Sequence, residues 1–354
     1  MMDFMYQAMP IRVIFGIGKI AETRAEVEKL GIKRALVLAT PQQADLAHDI
    51  SERLGDIAVG IYDQAVMHVP SETVNDVMEV VKELQVDGCV AVGGGSTIGL
   101  AKAIALKTEL PILTIPTTYA GSEMTLVWGI THEGIKTTGR DVRVLAKTVI
   151  YDPELTVTLP NFISGPSGMN AIAHCVEGLY AENRNPIISL LAEEGIRALG
   201  QNLVTVVEQP QDRNARSQAL YGAWLSGTVL GNVGMAIHHK LCHTLGGSFN
   251  LPHAEVHTVM IPQVVNFNKD HAPQAMAAIG RALNVVPEKS AAALYELAKQ
   301  IGAPIALKDI GMLESDLDKA AEIATKNPYY NPRPADYSAV RELLEKAYWG
   351  VKPE

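Results

Sequence analysis

The stretch Val90-Ala91-Val92-Gly93-Gly94-Gly95-Ser96-Thr97-Ile98-Gly99-Leu100-Ala101-Lys102 sets the fold class of this chain. An apolar strand runs into three glycines and a serine, and a helix is expected from about Thr97. Glycine lets the backbone approach a ligand closely, and a helix start offers unpaired N–H groups at a positive dipole end. Such a turn suits a pyrophosphate, at the strand end where open α/β sheets bind ligands.

Working outward, short apolar runs at 34–39 (RALVLA), 57–62 (IAVGIY), 88–92 (GCVAV) and 112–115 (ILTI) read as strands. Between them, 43–54 and 71–84 show helical spacing, the second with Ser71 as N-cap and Val74, Val77, Val80, Val81 and Leu84 on one face. Alternating strands and helices predict a parallel sheet covered by helices. After Pro160 the pattern turns wholly helical, with helices at 187–199, 215–230, 235–245, 275–283, 290–302, 314–325 and 335–349. The expected organisation is an α/β dinucleotide-binding domain over 1–160 and an all-helical domain over 161–354, with the border in the Pro- and Gly-rich segment 152–166.

A second strand end, Thr117-Thr118-Tyr119-Ala120-Gly121-Ser122-Glu123, clusters hydroxyls able to hydrogen-bond ribose, phosphate or carboxamide. Gly93, Gly94, Gly95, Ser96, Thr117, Thr118 and Ser122 are therefore cofactor-binding candidates. Thr40 joins them, because it ends RALVLAT where an acidic residue would meet the adenosine ribose. With no carboxylate there to repel a 2′-phosphate, both NADH and NADPH stay open. GxGxxG is absent, and Phe15-Gly16-Ile17-Gly18-Lys19 reads as a turn at the cofactor edge.

Six of ten histidines fall at 174, 238, 239, 243, 253 and 257, all in the helical half. Asn170 and His174 are four apart on an expected helix, with Glu177 one turn on, and His239 and His243 share a face likewise. Gly246-Gly247 is expected to end that helix, so that His253, after Pro252, returns beside it. Histidines at this spacing suit a divalent metal, but the position facing His174 carries neutral Asn170 where charge balance calls for a carboxylate. The pattern reads as a metal site adapted to work without metal, with His174, His239, His243 and His253 catalytic. His238 and His257 read as structural.

The chain has 354 residues, 47% hydrophobic and 19% charged, and a net charge of -9, which argues against nucleic acid or an anionic membrane as partner. No apolar run reaches the roughly 20 residues that span a bilayer, and MMDFMYQAMPIRVIFG lacks a secretory pattern, so a cytoplasmic protein is expected. Cys89, Cys175 and Cys242 show no CxxC spacing and fit reduced, buried thiols.

The ordered set GGGSTIGLAK, PTTYAGSE, NAIAHCVE, HHKLCHTLGG, LPH and NPRP resembles the iron-containing (group III) alcohol dehydrogenase superfamily over nearly the whole chain. That resemblance implies a dehydroquinate synthase-like architecture. It matches the family's metal-binding Asp and three histidines to Asn170, His174, His239 and His253, and a further histidine near the nicotinamide to His243. Gly99 stands where the family's GGGSxxDxAK turn has its Asp. Both departures are features of the branch that reduces 2-maleylacetate to 3-oxoadipate in bacterial aromatic degradation. The resemblance thus implies a small dicarboxylate substrate, NADH or NADPH as reductant, no required metal and, by analogy, a homodimer. Arg333, in the NPRP motif, matches a family motif near the active-site cleft; Lys240, adjoining the histidine helix, Tyr330, close in sequence to Arg333, and Asn170 join it as substrate-binding candidates. A metal-dependent (Fe or Zn) alcohol or polyol dehydrogenase is the alternative enzyme, and a nucleotide sensor or metal-storage protein the alternative of another class.

Overall fold

A computed structural model describes residues 4–133 and 135–354; the first three residues of the N-terminal stretch read above lie outside it. The chain divides into two compact units, Ala8–Leu159 and Pro160–Glu354, the latter together with residues 4–7.

The first unit carries a six-stranded parallel sheet. Its strands are β1 (Arg12–Phe15), β2 (Ala35–Leu38), β3 (Ala58–Tyr62), β4 (Gly88–Gly93), β5 (Ile112–Pro116) and β8 (Thr148–Tyr151), in the order β1-β8-β5-β4-β2-β3. Helices α1 (Thr23–Lys29), α2 (Ala44–Leu54), α3 (Ser71–Glu83) and α4 (Gly95–Thr108) accompany it. Period-two alternation sends Leu36, Leu38, Cys89 and Ala91 into one core and Ala35, Val37, Val90 and Val92 into another. From β2 the chain moves outward to edge strand β3, then returns to β4 on the other side and proceeds to β5. The direction of winding therefore reverses between β2 and β4, the point where open α/β sheets bind ligands.

The four expected strands form, and four more were not expected. β1 and β8 are only four residues long, and β8 is buried on both faces, so it shows no alternation. β6 (Val127–His132) and β7 (Ile135–Arg140) pair as a separate antiparallel hairpin rich in polar residues. The N-cap of α3 is Pro70, not Ser71, whose hydroxyl instead bonds the His132 ring (2.8 Å). Helix α4 begins two residues before Thr97, because Gly94, extended and without a side chain, serves as its cap.

The second unit is helical: α5 (Asn161–Tyr180), α6 (Pro186–Gly200), α7 (Leu203–Glu208), α8 (Arg213–Asn232), α9 (Ile237–Phe249), α10 (His253–Asn268), α11 (Pro273–Leu283), α12 (Ser290–Gln300), α13 (Leu317–Lys326) and α14 (Tyr337–Trp349). α5 is central, buried at every residue from Ser164 to Tyr180, and packs on α6, α8 and α10. Small residues make that possible: a Cβ at Gly168 would meet the Leu203 side chain, and one at Gly178 the Val229 side chain. The expected break at Gly246-Gly247 does not occur. α9 runs through both glycines and ends at Asn250 in the left-handed conformation. Among the described residues no helix is long and apolar enough to cross a membrane, and all three cysteines are buried and outside any disulfide.

Candidate active site

The glycine turn sits at the winding reversal. Gly93 has φ +152°, and a Cβ there would lie 2.5 Å from Thr97 Oγ1 and 2.7 Å from Gln43 Oε1, so only glycine fits. A Cβ on Gly94 would press on Thr118, whereas Gly95, the first residue of α4, faces open space. The early N–H groups of a 14-residue helix are thereby left accessible to an anion. The two strand ends are fastened together: the Thr117 amide donates to the Gly93 carbonyl (3.1 Å), and Gln43 Nε2 donates to Thr117 Oγ1 (2.7 Å). Thr40, at the end of β2, accepts the Gln43 amide on its carbonyl (2.9 Å). Thr40, Ser96, Thr118 and Ser122 are partly exposed around this cradle.

Beneath it, Lys102 is buried and its ammonium donates to the Ser122, Thr125 and Val127 carbonyls and to Thr125 Oγ1, at 2.7–2.9 Å. Burial pulls its pKa down to about 7, with buried Glu123 acting in the opposite sense. The turn bearing Ser122 is thus tied to α4. A Cβ at Gly99 would lie 2.8 Å from Val69 Cγ2, so an Asp there has no room. The Gly16–Gly18 turn is held by Asp152, which accepts from the Gly18 (3.1 Å) and Ile20 (3.0 Å) amides.

In the helical unit, α5, α9 and α10 bring the histidines together. The ring of His239 lies 5.1 Å from that of His174, 4.9 Å from His257 and 6.0 Å from His243. His257 is central: it also lies 4.5 Å from His253, 4.8 Å from His238 and 6.1 Å from His174. His243 and His253 are exposed, the first with Tyr329 Oη 3.5 Å from its Nδ1. Desolvation, reinforced by the neighbouring imidazoles, pushes His174, His238 and His257 well below the usual histidine range, so these three are neutral.

Glu177, fully buried on α5, organises the centre. It accepts from the amides of Ala236 (2.8 Å) and His238 (2.7 Å), which open α9, and from His239 Nδ1 (2.6 Å). The His239 proton on Nδ1 is thereby fixed, and Nε2 is turned to the remaining histidines. Of the buried side-chain polar atoms without a partner among the described residues, five gather at this centre: Asn170 Oδ1, His174 Nδ1, His238 Nδ1, His239 Nε2 and His257 Nε2. Buried polar groups are rarely left so, and a concentration of them marks a place for a polar ligand.

These donors do not fit a divalent iron well. Asn170 contributes no charge, and the oxygens of Glu177 are engaged by N–H groups. Among the described residues, the His/Cys/Asp/Glu group whose ligand atoms all lie within 4.8 Å is His238, Cys242 and His257. Burial pushes the Cys242 thiol far up, which disfavours the thiolate a metal would need.

The implied substrate residues separate. Lys240 lies over the Tyr329 ring (5.7 Å), and Tyr330 lines a cleft of about 320 Å³ with Glu182, Asn183, Gly234, Met235 and Tyr329. Arg333 is not brought to that cleft. Its guanidinium stacks on Phe267 (4.1 Å), donates to the Phe267 carbonyl (3.2 Å) and borders a different cleft with Gln263, Asn266 and Glu342. The NPRP segment is itself pinned, Asn331 and Asn268 exchanging side-chain hydrogen bonds at 2.7 and 3.0 Å. Sequence reading gave no role to Gln43 or Lys102, took His257 as structural, and noted Glu177 only for its spacing.

Comparison with known proteins gives matches along both units. The model of the iron-containing alcohol dehydrogenase matches residues 10–153, and that of the Fe-containing alcohol dehydrogenase family, C-terminal, matches 165–348. Maleylacetate reductase of Burkholderia cepacia is 53% identical, with 99% of each chain covered, and that of Pseudomonas sp. (strain P51) is 52% identical, with 100% of each covered. The crystal structure of maleylacetate reductase from Agrobacterium tumefaciens superposes with a TM-score of 0.96 at 48% identity over 100% of both chains.

Proposed function

The chain belongs to the iron-containing alcohol dehydrogenase family, and from that premise we propose that it is an NAD(P)H-dependent oxidoreductase reducing 2-maleylacetate to 3-oxoadipate without a required metal. The observation that carries the reading is Asn170: buried, uncharged and unpartnered at Oδ1, it sits on the helix that also carries His174 and Glu177. A conjugated alkene needs less Lewis-acid help than an isolated carbonyl, so imidazoles suffice where an alcohol dehydrogenase uses a cation.

The cradle of Gly93, Gly94, Gly95 and Ser96, with Thr40, Gln43, Thr117, Thr118 and Ser122, fits the dinucleotide, its pyrophosphate at the start of α4. A nicotinamide held there would supply a hydride to the alkene carbon β to the ketone, leaving negative charge on the ketone oxygen as an enolate. Asn170, His174 and His253 orient the substrate, with Lys240 and Tyr330 toward its carboxylates. His239, when protonated, is neutralised by Glu177 on its Nδ1 side, and its Nε2–H then delivers the proton that converts the enolate to product. Arg333, occupied by Phe267, supports the fold of the NPRP segment and is dropped from the substrate set. The acidic chain is read as a cytoplasmic homodimer.

The test is NADH- and NADPH-dependent turnover of maleylacetate after EDTA treatment, with metal analysis of the same sample. Turnover should survive chelation. Activity lost with the metal and restored by Fe²⁺ or Zn²⁺ would overturn the metal-free reading.

A further inference from the structure

His257 is fully buried on α10, its Nδ1 2.9 Å from His238 Nε2, its own Nε2 unpartnered, and its ring in contact range of four other imidazoles. We propose that His238 locks His257 in the Nε2–H tautomer, so that His257 donates a hydrogen bond to an anionic oxygen of the substrate; this rests on the dicarboxylate reading above.

A single proton lies between the two rings, and its position sets both tautomers. If His238 Nε2 carries it, His257 must keep its other proton on Nε2, and His238 Nδ1 is left as a bare acceptor. If His257 Nδ1 carries it, His257 Nε2 is a bare lone pair and His238 Nδ1–H is a buried donor without a partner. Each arrangement leaves one buried N–H and one lone pair without a protein partner, but the N–H of the first lies on His257, among the rings of His174, His239 and His253, where a ligand oxygen can accept it. The second arrangement would turn the His257 Nε2 lone pair toward an anion, beside Asn170 Oδ1 and, while His239 is neutral, its Nε2. An anionic oxygen in a dry site needs donors. The first arrangement supplies one from His257. Cys242 Sγ, 3.5 Å from His238 Nε2, accepts weakly from the same N–H and is compatible with it.

The experiment has two arms on the intact protein. Long-range ¹H–¹⁵N NMR of uniformly labelled wild type, with His257 assigned by loss of its signals in His257→Gln, should show Nε2 protonated and Nδ1 bare; the opposite pattern overturns the proposal. In kinetics, His257→Gln should lower kcat for maleylacetate about 100-fold with NADH affinity unchanged, and His238→Phe, which removes only the lock, should lower it less. Unchanged kcat in a folded His257→Gln overturns the proposal. Wild type inactive toward maleylacetate would instead defeat the functional reading, and the NMR arm would still decide the tautomer.

Discussion

At the scale of single residues, the centre depends on which nitrogen of each imidazole carries a proton, and Glu177 makes that choice for His239. Glu177→Gln replaces one accepting oxygen by an NH₂ that faces N–H donors. The expected outcome is a loss of about 1–3 kcal/mol in urea unfolding and a fall of about 10–100-fold in kcat, with NADH binding intact. Equal turnover in a folded variant would remove Glu177 from the machinery. The four-residue spacing of Asn170 and His174, and of His239 and His243, was readable from sequence because it needs only a helix. His253 and His257 have the same spacing on α10. It went unread because His253 follows Pro252 and Pro262 lies within the helix, which argues against a helix there. The pairing of His238 with His257 joins two helices and leaves no periodic trace.

At the scale of elements, Lys102 links α4 to the turn at Ser122 and the strand after it. Lys102→Met fills the space but removes the donor shared by the Thr125 and Val127 carbonyls, while the Ser122 carbonyl keeps the Thr125 amide and hydroxyl, and Thr125 Oγ1 keeps the Val127 amide. About 1–3 kcal/mol of stability should be lost, the cost of a buried acceptor left without its donor, and NADH affinity should weaken as the Ser122 turn loosens. Calorimetry and NADH titration check both, and a thermally unchanged variant would show that the turn holds itself. The legible elements were those with contrast between faces: α3 shows a buried Val74, Val77 and Val81 stripe against charged residues. α5, buried all round, has no polar face to mark its limits, and its helical character was read only locally, around Asn170 and His174. β8, buried on both faces, is silent for the same reason, and the hairpin because β6 is half-buried along nearly its whole length and β7 is mostly exposed, so neither alternates.

For the whole molecule, the three neutral, buried imidazoles link stability to pH. In the unfolded chain they titrate near 6.5; in the folded protein His174, His238 and His257 lie well below that. Below pH 6.5 the unfolded chain therefore binds more protons, and stability that is full above this value falls as pH drops, by about 1.4 kcal/mol per unit for each histidine. Urea unfolding at pH 7.5, 6.5 and 5.5 should show a plateau and then a decline; a flat profile to pH 5.5 would mean that the rings ionise in place. Glu177 carries a last consequence, which concerns time. The amides it accepts lie 59 to 62 residues further along the chain, so the first turn of α9 gains its cap only once α5 has docked. Loops of that length close late relative to local helix formation. In refolding followed by pulsed deuterium labelling, the amides of Ala236 and His238 should become protected with the slow docking phase, and recovery of turnover should not precede them.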